Sequence, residues 1–281
     1  AVMKEWKRTH CSRFDHGGCG LKVLVEDGRA IQVLPDESNP RSKGYVCPKG
    51  LASLERIYHP KRLLSPLMRK GKRGQGEWEE ISWDRALEFA ATSLNRLKEE
   101  YGASSIAFAQ GAPKGFEYCL MMRLANVFGT PNVAGTQHVC HWPRELMGRF
   151  TCGFLPLPDY DNPTQCIMLW GSNPFATNEE GILGIHLKNS LENGAPSLIV
   201  IDPLKTDVAS RADLWLQIKP GADDLLAIGM LNIIINEGIY DKSFVGEWTE
   251  GFAQLKEHVK AYPLDKISAA TWIPKEKILK A

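Results

Sequence analysis

The chain has 281 residues, 43% of them hydrophobic and 24% charged, which is enough to bury a substantial core and to form two or more domains. A formal net charge of +1 gives no footprint for nucleic acid or an anionic membrane, and no apolar run approaches the roughly 20 residues that span a bilayer. Seven cysteines, an odd number, and no secretory h-region at the start argue against a disulfide scaffold and favour the cytoplasm over the periplasm.

The first informative segment is Cys11, Asp15, Cys19 and Cys47, a C-x3-D-x3-C-x27-C array followed by Pro48-Lys49-Gly50. Thiolates are the usual ligands of iron–sulfur clusters, and two or three ligands on one loop plus a distant one is a common wrapping. Gly17, Gly18 and Gly20 let the backbone bend around an inorganic core. Between them and Cys47, Leu21, Val23 and Val25, then Ile31 and Val33, alternate about Glu26-Asp27-Gly28, which predicts a β-hairpin that returns Cys47 to the first loop. The spacing leaves one alternative open, a three-cysteine zinc site completed by Asp15 or His16.

A basic loop then ends at Ser82, an N-cap candidate with Asp84 in the first turn of a helix running to about Tyr101. Leu87, Ala90, Ala91, Leu94 and Leu97 share one face, so this helix is expected to pack on a core. From about residue 103 the order becomes α/β. Strands are predicted at 105–109, 166–170, 198–202 and 214–218, with helices at 116–127, 181–192 and 223–236. Ile167-Met168-Leu169-Trp170 and Leu198-Ile199-Val200-Ile201 read as parallel strands covered on both faces. Cys119, Cys152 and Cys166 are expected to be buried structural thiols.

In such sheets ligands bind beyond the carboxyl ends of the strands. Gly171-Ser172-Asn173-Pro174 and Asp202-Pro203-Leu204-Lys205-Thr206 stand there, offering a close backbone approach for a diphosphate and an acid for a nucleoside. Turn chemistry alone also places Gly, Asn and Asp in these positions.

Taken together these segments resemble the molybdopterin-dinucleotide oxidoreductases of the dimethyl sulfoxide reductase family. The resemblance is carried by the cluster array with Cys47-Pro48-Lys49-Gly50 and by His59-Pro60-Lys61-Arg62-Leu63. Ser65-Pro66-Leu67, the glycine-rich Gly71 to Gly76 and Trp78 to Asp84 follow in family order. It implies an α/β fold in which a small β-rich Fe–S module, residues 1–58, precedes Rossmann-like parallel-sheet domains. Residues 59–135 would be part of a discontinuous domain and 136–281 a dinucleotide-binding domain. The cofactors implied are a 4Fe–4S cluster and molybdenum or tungsten on molybdopterin guanine dinucleotide, two per complete enzyme. Lys49 would lie between the cluster and one pterin. Gly171, Ser172 and Asn173 would touch the dinucleotide, Asp202, Lys205 and Thr206 its guanosine end, and Gly221 and Asp223, in Lys219-Pro220-Gly221-Ala222-Asp223, a further part of it. Lys205 replaces a frequent Arg and loses its planar fork, and Ala222 replaces a frequent hydroxyl residue.

The resemblance makes Cys140, in Gln137-His138-Val139-Cys140-His141-Trp142-Pro143-Arg144, the Mo or W ligand. His141 becomes a candidate proton carrier and Arg144 a candidate for orienting an anionic substrate. A cysteine here resembles the branch holding formate dehydrogenases, periplasmic nitrate reductases, polysulfide and thiosulfate reductases and acetylene hydratase. Two-electron chemistry on a small substrate is implied, with electron flow through the cluster. The same cofactors also serve a non-redox hydratase, and a relay subunit would keep the cluster but make no use of Cys140. Family chains are several hundred residues longer, so the remainder of the catalytic chain or a complementary subunit is an expected partner, with an Fe–S electron-transfer subunit possible and no nucleic acid.

Overall fold

The computed structural model describes residues 3–11, 18–111, 116–135, 142–156, 158–160, 162–177 and 183–281. The chain forms two compact units, 1–158 and 159–281. Among the described residues, no helix is long and apolar enough to cross a membrane.

The first unit opens with an antiparallel sheet of β1 (Lys4–His10), β2 (Gly20–Glu26) and β3 (Arg29–Pro35), in that order. The predicted hairpin is β2–β3. Its two-residue turn places Asp27 at φ 46° and Gly28 at φ 79°, the left-handed pair that matches strand twist and makes Asp-Gly a strong hairpin signal. Two short helices follow, α1 (Pro48–Leu51) and α2 (Ser53–Ile57), and the Tyr58 hydroxyl just beyond accepts the Ala30 N–H of β3 at 3.2 Å. Next come the hairpin β4 (Leu67–Arg69) with β5 (Trp78–Glu80) and the long helix α3 (Trp83–Tyr101). Ser82 caps α3 as expected, its Oγ accepting the Arg85 N–H, and Gly102 ends it.

A parallel pair, β6 (Phe108–Gln110) and β7 (Val133–Gly135), flanks α4 (Glu117–Phe128). Thr130 fastens this unit: its hydroxyl donates to the Ile106 carbonyl at 2.7 Å, while the Asn132 amide donates to the Ser104 carbonyl at 2.6 Å. Lys98 of α3 donates to the last carbonyl of α4, that of Phe128, at 2.6 Å, satisfying a group the helix end leaves without a partner. Helix α5 (Trp142–Cys152) closes the unit.

The second unit is a three-stranded parallel sheet, β8 (Cys166–Trp170), β9 (Ser197–Ile201) and β10 (Leu214–Leu216), with β9 central. Its connections carry α6 (Pro174–Thr177), α7 (Leu183–Gly194) and α8 (Asp207–Ser210), and α9 (Asp223–Glu237) follows β10. Four helices complete it: α10 (Lys242–Trp248), α11 (Phe252–Val259), α12 (Leu264–Thr271) and α13 (Lys275–Lys280). Two cores sandwich the sheet. Ile167, Leu169, Leu198 and Val200 pack with Leu187 of α7 and Val208 of α8 on one face. On the other, Ile199, Ile201 and Leu216 pack with Leu226, Ile267, Ile273 and Ile278.

Three expectations change. The central strand β9 is buried on both faces, but β8 is an edge strand whose Met168 remains 41% exposed, because the second helical layer sits over β9 and β10. Helix α3 does not enter a core: Leu94 and Leu97 are half-buried, while Leu87, Ala90 and Ala91 are exposed, because among the described elements it packs mainly on the short turn Ala103–Ser105 that follows it rather than on a sheet. Cys119, Cys152 and Cys166 are likewise exposed, on the outward sides of α4, α5 and β8.

Candidate functional site

In the first unit the cluster loop is built by strand pairing. His10 lies opposite Gly20, and the ladder continues one step as the Cys11 N–H donates to the Cys19 carbonyl at 2.9 Å. Directly opposed residues hold their Cβ atoms about 4.5–5.5 Å apart, so the loop that leaves at Cys11 and returns at Cys19 presents both thiols together. Cys47 arrives from the far end of β3, at the N-cap of α1, its carbonyl accepting the Gly50 and Leu51 N–H groups.

A polar network brings it back. The Asp36 N–H donates to the Gly20 carbonyl at 3.0 Å, and the Gly20 N–H donates to the buried Ser42 hydroxyl at 3.1 Å. Ser42 is held in turn by Asn39 Oδ1, which accepts its backbone N–H at 2.8 Å, and Asp36 Oδ1 accepts both the N–H and the hydroxyl of Ser38. Chiefly through the Ser38 hydroxyl, the Asp36 carboxyl is held below its ordinary range, so it stays a charged acceptor over the neutral range. Asp36, Asn39 and Ser42 carry no chemistry themselves, and sequence reading passed over them. Their signal is the Asx-turn spacing D-x-S and N-x-x-S.

The three thiols interact. Burial pushes the Cys19 thiol up, and Cys11 and Cys47 beside it add to the rise, because gathering negative sulfurs in a partly dehydrated place disfavours each thiolate. A cationic iron core is the complement of such a set. Gly50 stands against it: a Cβ there would lie 2.5 Å from Val46 Cγ1 and 3.7 Å from Cys11 Sγ, so the backbone of α1 must remain bare to approach the loop. Lys49, next to it, is exposed. Among the described residues no three His, Cys, Asp or Glu side chains form the ligand set of a single metal ion. Asp15 and His16 lie outside the described residues.

The second unit brings its predicted residues to one edge. All three strands are parallel, so the segments after β8, β9 and β10 emerge together at the carboxyl ends, carrying Gly171, Ser172 and Asn173, then Asp202, Lys205 and Thr206, then Gly221 and Asp223. Several already have structural partners. Asp202 Oδ1 accepts the Leu204 N–H at 2.8 Å, Thr206 caps α8 by accepting the Ala209 N–H at 3.2 Å, and Lys205 Nζ lies 5.8 Å from the centre of the Trp215 ring. The Trp170 indole donates to Asp223 Oδ1 at 2.7 Å, tying the first loop to the start of α9. Ala222 provides no side-chain cap for α9, as its lack of a hydroxyl requires.

Asn173 is different. Its backbone carbonyl receives the Ala176 and Thr177 N–H groups, but its side-chain Oδ1 is buried and has no hydrogen-bond partner among the described residues. A second such atom is Oε1 of Gln110, at the carboxyl end of β6 opposite Gly135, the last described residue before the segment holding Cys140. Sequence reading missed Gln110, and no local pattern marks it. Leaving an acceptor buried and unpaired costs about 1–3 kcal/mol, so each atom is chemically suited to receive a hydrogen-bond donor. Cys140 and His141 lie outside the described residues, while Arg144 sits exposed in the first turn of α5.

Residues 62–270 match the family model for molybdopterin oxidoreductase, and residues 4–59 match the molybdopterin oxidoreductase Fe4S4 domain. The chain belongs to the molybdopterin oxidoreductase family. It is 35% identical over 272 residues to acetylene hydratase of Syntrophotalea acetylenica, covering 94% of this chain and 37% of that protein. A formate dehydrogenase alpha subunit of Methanocaldococcus jannaschii is 32% identical over 94% of this chain and 38% of the relative. The thiosulfate reductase molybdopterin-containing subunit of Salmonella typhimurium is 28% identical over 93% and 34%. Among solved structures, acetylene hydratase from Pelobacter acetylenicus superposes with a TM-score of 0.74 at 33% identity, covering 98% of this chain and 38% of that one. The chain thus spans rather more than a third of the length of these relatives.

Membership decides between cluster and zinc. The N-terminal module is a 4Fe–4S domain and the cofactor is a molybdenum or tungsten pterin. The donor set agrees with the cluster: Cys11, Cys19 and Cys47 lie close enough to raise the Cys19 thiol together with its burial. The parallel-sheet edge agrees with the dinucleotide, since it offers an unsatisfied acceptor at Asn173 where a guanine or pterin amino group would supply a donor. An Asn173→Leu variant is therefore expected to keep or slightly raise the melting temperature of the cofactor-free protein while lowering pterin content at least severalfold, measured by fluorescence of the oxidised pterin after release. Normal pterin content in this variant would show that Oδ1 has no bound partner.

Proposed function

We propose that the chain is the front portion of a Mo- or W-bis-pterin catalytic subunit that carries out two-electron redox chemistry on a small substrate and passes the electrons through its Fe–S cluster. The observation that carries this reading is the convergence of Cys11, Cys19 and Cys47, with Lys49 two residues beyond the last of them. Asp15, His16 or no protein group completes the cluster. Residues 1–58 serve as the cluster module, 59–135 as part of a discontinuous domain and 136–281 as the dinucleotide-binding domain.

The metal, bound by Cys140 and pterin sulfurs, supplies the two-electron chemistry; the protein's share is placement, charge and protons. Gly171, which has no side chain, and Ser172 would let the dinucleotide approach the backbone, and Asn173 Oδ1 would accept a hydrogen bond from it. Asp202 would accept from the guanosine, with Lys205 and Thr206 beside it, and Gly221 and Asp223 would hold a further part of the dinucleotide. Lys49 would hold a positive charge beside the cluster, favouring its electron-rich form, and is the residue the family resemblance puts on the path to the pterin. His141 holds a transferable proton, and Arg144 offers a planar guanidinium to an anionic substrate. The remainder of the catalytic chain or a complementary subunit would supply the remaining pterin-binding surface, and an Fe–S electron-transfer subunit is the further partner proposed. A cluster site rich in free thiols suits the reducing cytoplasm.

The 35% identity to acetylene hydratase supports a second reading, hydration without net electron flow. Acceptor dependence separates the two. The redox reading expects full-length enzyme to turn over only with a dye such as methyl viologen or a ferricyanide salt, at two one-electron equivalents per substrate. Turnover with no acceptor or donor present would establish the hydratase instead.

A further inference from the structure

The indole of Trp170 joins two of the three loops that emerge at the carboxyl edge of the second unit. Trp170 ends β8, and its Nε1–H donates at 2.7 Å to Oδ1 of Asp223, the first residue of α9, which follows β10 on the far side of the central strand. The loops after β8 and β9 are aligned by the backbone itself. The Gly171 N–H donates to the Ile201 carbonyl at 2.9 Å, and the Asp202 N–H donates to the Leu216 carbonyl at 3.2 Å. The loop after β10 takes another course. Its Lys219 N–H donates to the Thr271 carbonyl of α12, and Ala222 gives α9 no side-chain cap, so the first turn of that helix is not fastened by its own N-cap residue.

Trp170 has the chemistry to fasten it. Its ring packs against the core that holds Ile201, Leu216 and Leu226, which sets its direction, and an indole has one donor and no acceptor, so it makes a single polar bond. A carboxylate has two oxygens that together accept about four hydrogen bonds. The indole occupies Oδ1, fixes the plane of the group and leaves Oδ2 to a ligand. A hydrogen bond to a charged acceptor is also roughly twice as strong as one between neutral partners.

We infer that Trp170 is a positioning residue for the dinucleotide: it orients the Asp223 carboxylate and holds the loop after β10 in register with Gly171 to Asn173. The inference rests on the dinucleotide reading of this edge and goes further, giving a role to a side chain that lies in the strand rather than in the loops.

The test uses full-length enzyme purified without oxygen and follows the release of pterin in mild urea by fluorescence of its oxidised form. Trp170→Phe keeps an aromatic ring but has no donor. Benzothienylalanine at position 170 keeps the whole shape of the indole with sulfur in place of the N–H, so packing and folding are preserved. Each is expected to release pterin at least about tenfold faster than the parent, the scale of a hydrogen bond to a charged group, with iron content unchanged. In the Asp223→Ala background the same changes should add less than about twofold, because the bond they remove is already gone. Release at the parent's rate would show the bond to be idle, and equal acceleration with and without Asp223 would show a role in packing alone; either result overturns the proposal. A parent that holds no pterin would instead overturn the dinucleotide reading, and this inference with it.

Discussion

Replacing Cys140 by alanine in the full-length enzyme should abolish turnover, by more than about a thousandfold, while leaving the electron-resonance signal of the reduced cluster intact. Loss of an outer partner of a metal site costs roughly 10–100-fold, and loss of the protein's own ligand should exceed that. A thiolate is a soft donor matched to a metal already held by sulfur, and no hydroxyl or water restores the same electron density. The framework around the residue also predicts the separation of effects. Its segment runs from the end of β7 to the start of α5, whereas the cluster cysteines depend on β1–β3 and α1. Removing one sulfur should therefore leave the other site assembled. Turnover that survives the change would refute the ligand assignment.

Cys19→Ala should do the reverse at its source, removing the cluster. Cys19 is 6% exposed, opposes Cys11 across the strand ladder, and lies beside the Gly20 amide that Ser42 fixes. Iron is expected to fall from about four per chain to near zero, or to a three-iron remnant, because a cluster missing a buried ligand has no nearby thiol to replace it. Stability of the iron-free protein should respond differently to pH in the two forms. In the parent, burial and the neighbouring thiols raise the Cys19 thiol above its usual 9.0. The folded state therefore binds more protons than the unfolded state at alkaline pH. The stability it contributes is full below pH 9 and is lost as pH climbs from there through the raised value. Cys19→Ala should flatten that alkaline decline, read from melting temperatures between pH 8 and 11. A decline of the same steepness in the variant would show that the thiols are not gathered as described.

The elements that were legible in the sequence are those set by local rules. Asp27-Gly28 between alternating apolar residues specified β2–β3, and Ser82 followed by a 3.6-residue period specified α3. The runs at 166–170, 198–202 and 223–236 declared the parallel sheet and its covering helix, within one residue of the observed bounds, and with them the edge where Gly171 to Asn173 and Asp202 to Thr206 emerge. Coverage was not legible, because it depends on which elements arrive from elsewhere. The apolar stripe of α3 and the outward side of β8 look the same in sequence whether or not a layer covers them. Positioning groups were hidden for another reason. Asp36 and Ser42 act through hydrogen bonds to Gly20 that span 16 and 22 residues, with Asn39 holding Ser42 locally, and the unpaired oxygens of Asn173 and Gln110 are defined by what does not reach them.

The central claim is that one chain gathers thiols into an iron–sulfur site and opens a parallel-sheet edge to a pterin dinucleotide. Its most direct test is the metal and pterin content of the full-length protein, purified without oxygen. Iron near four per chain, with molybdenum or tungsten near one and pterin near two, is the expected result. Zinc in place of iron, or iron without any pterin, would contradict it.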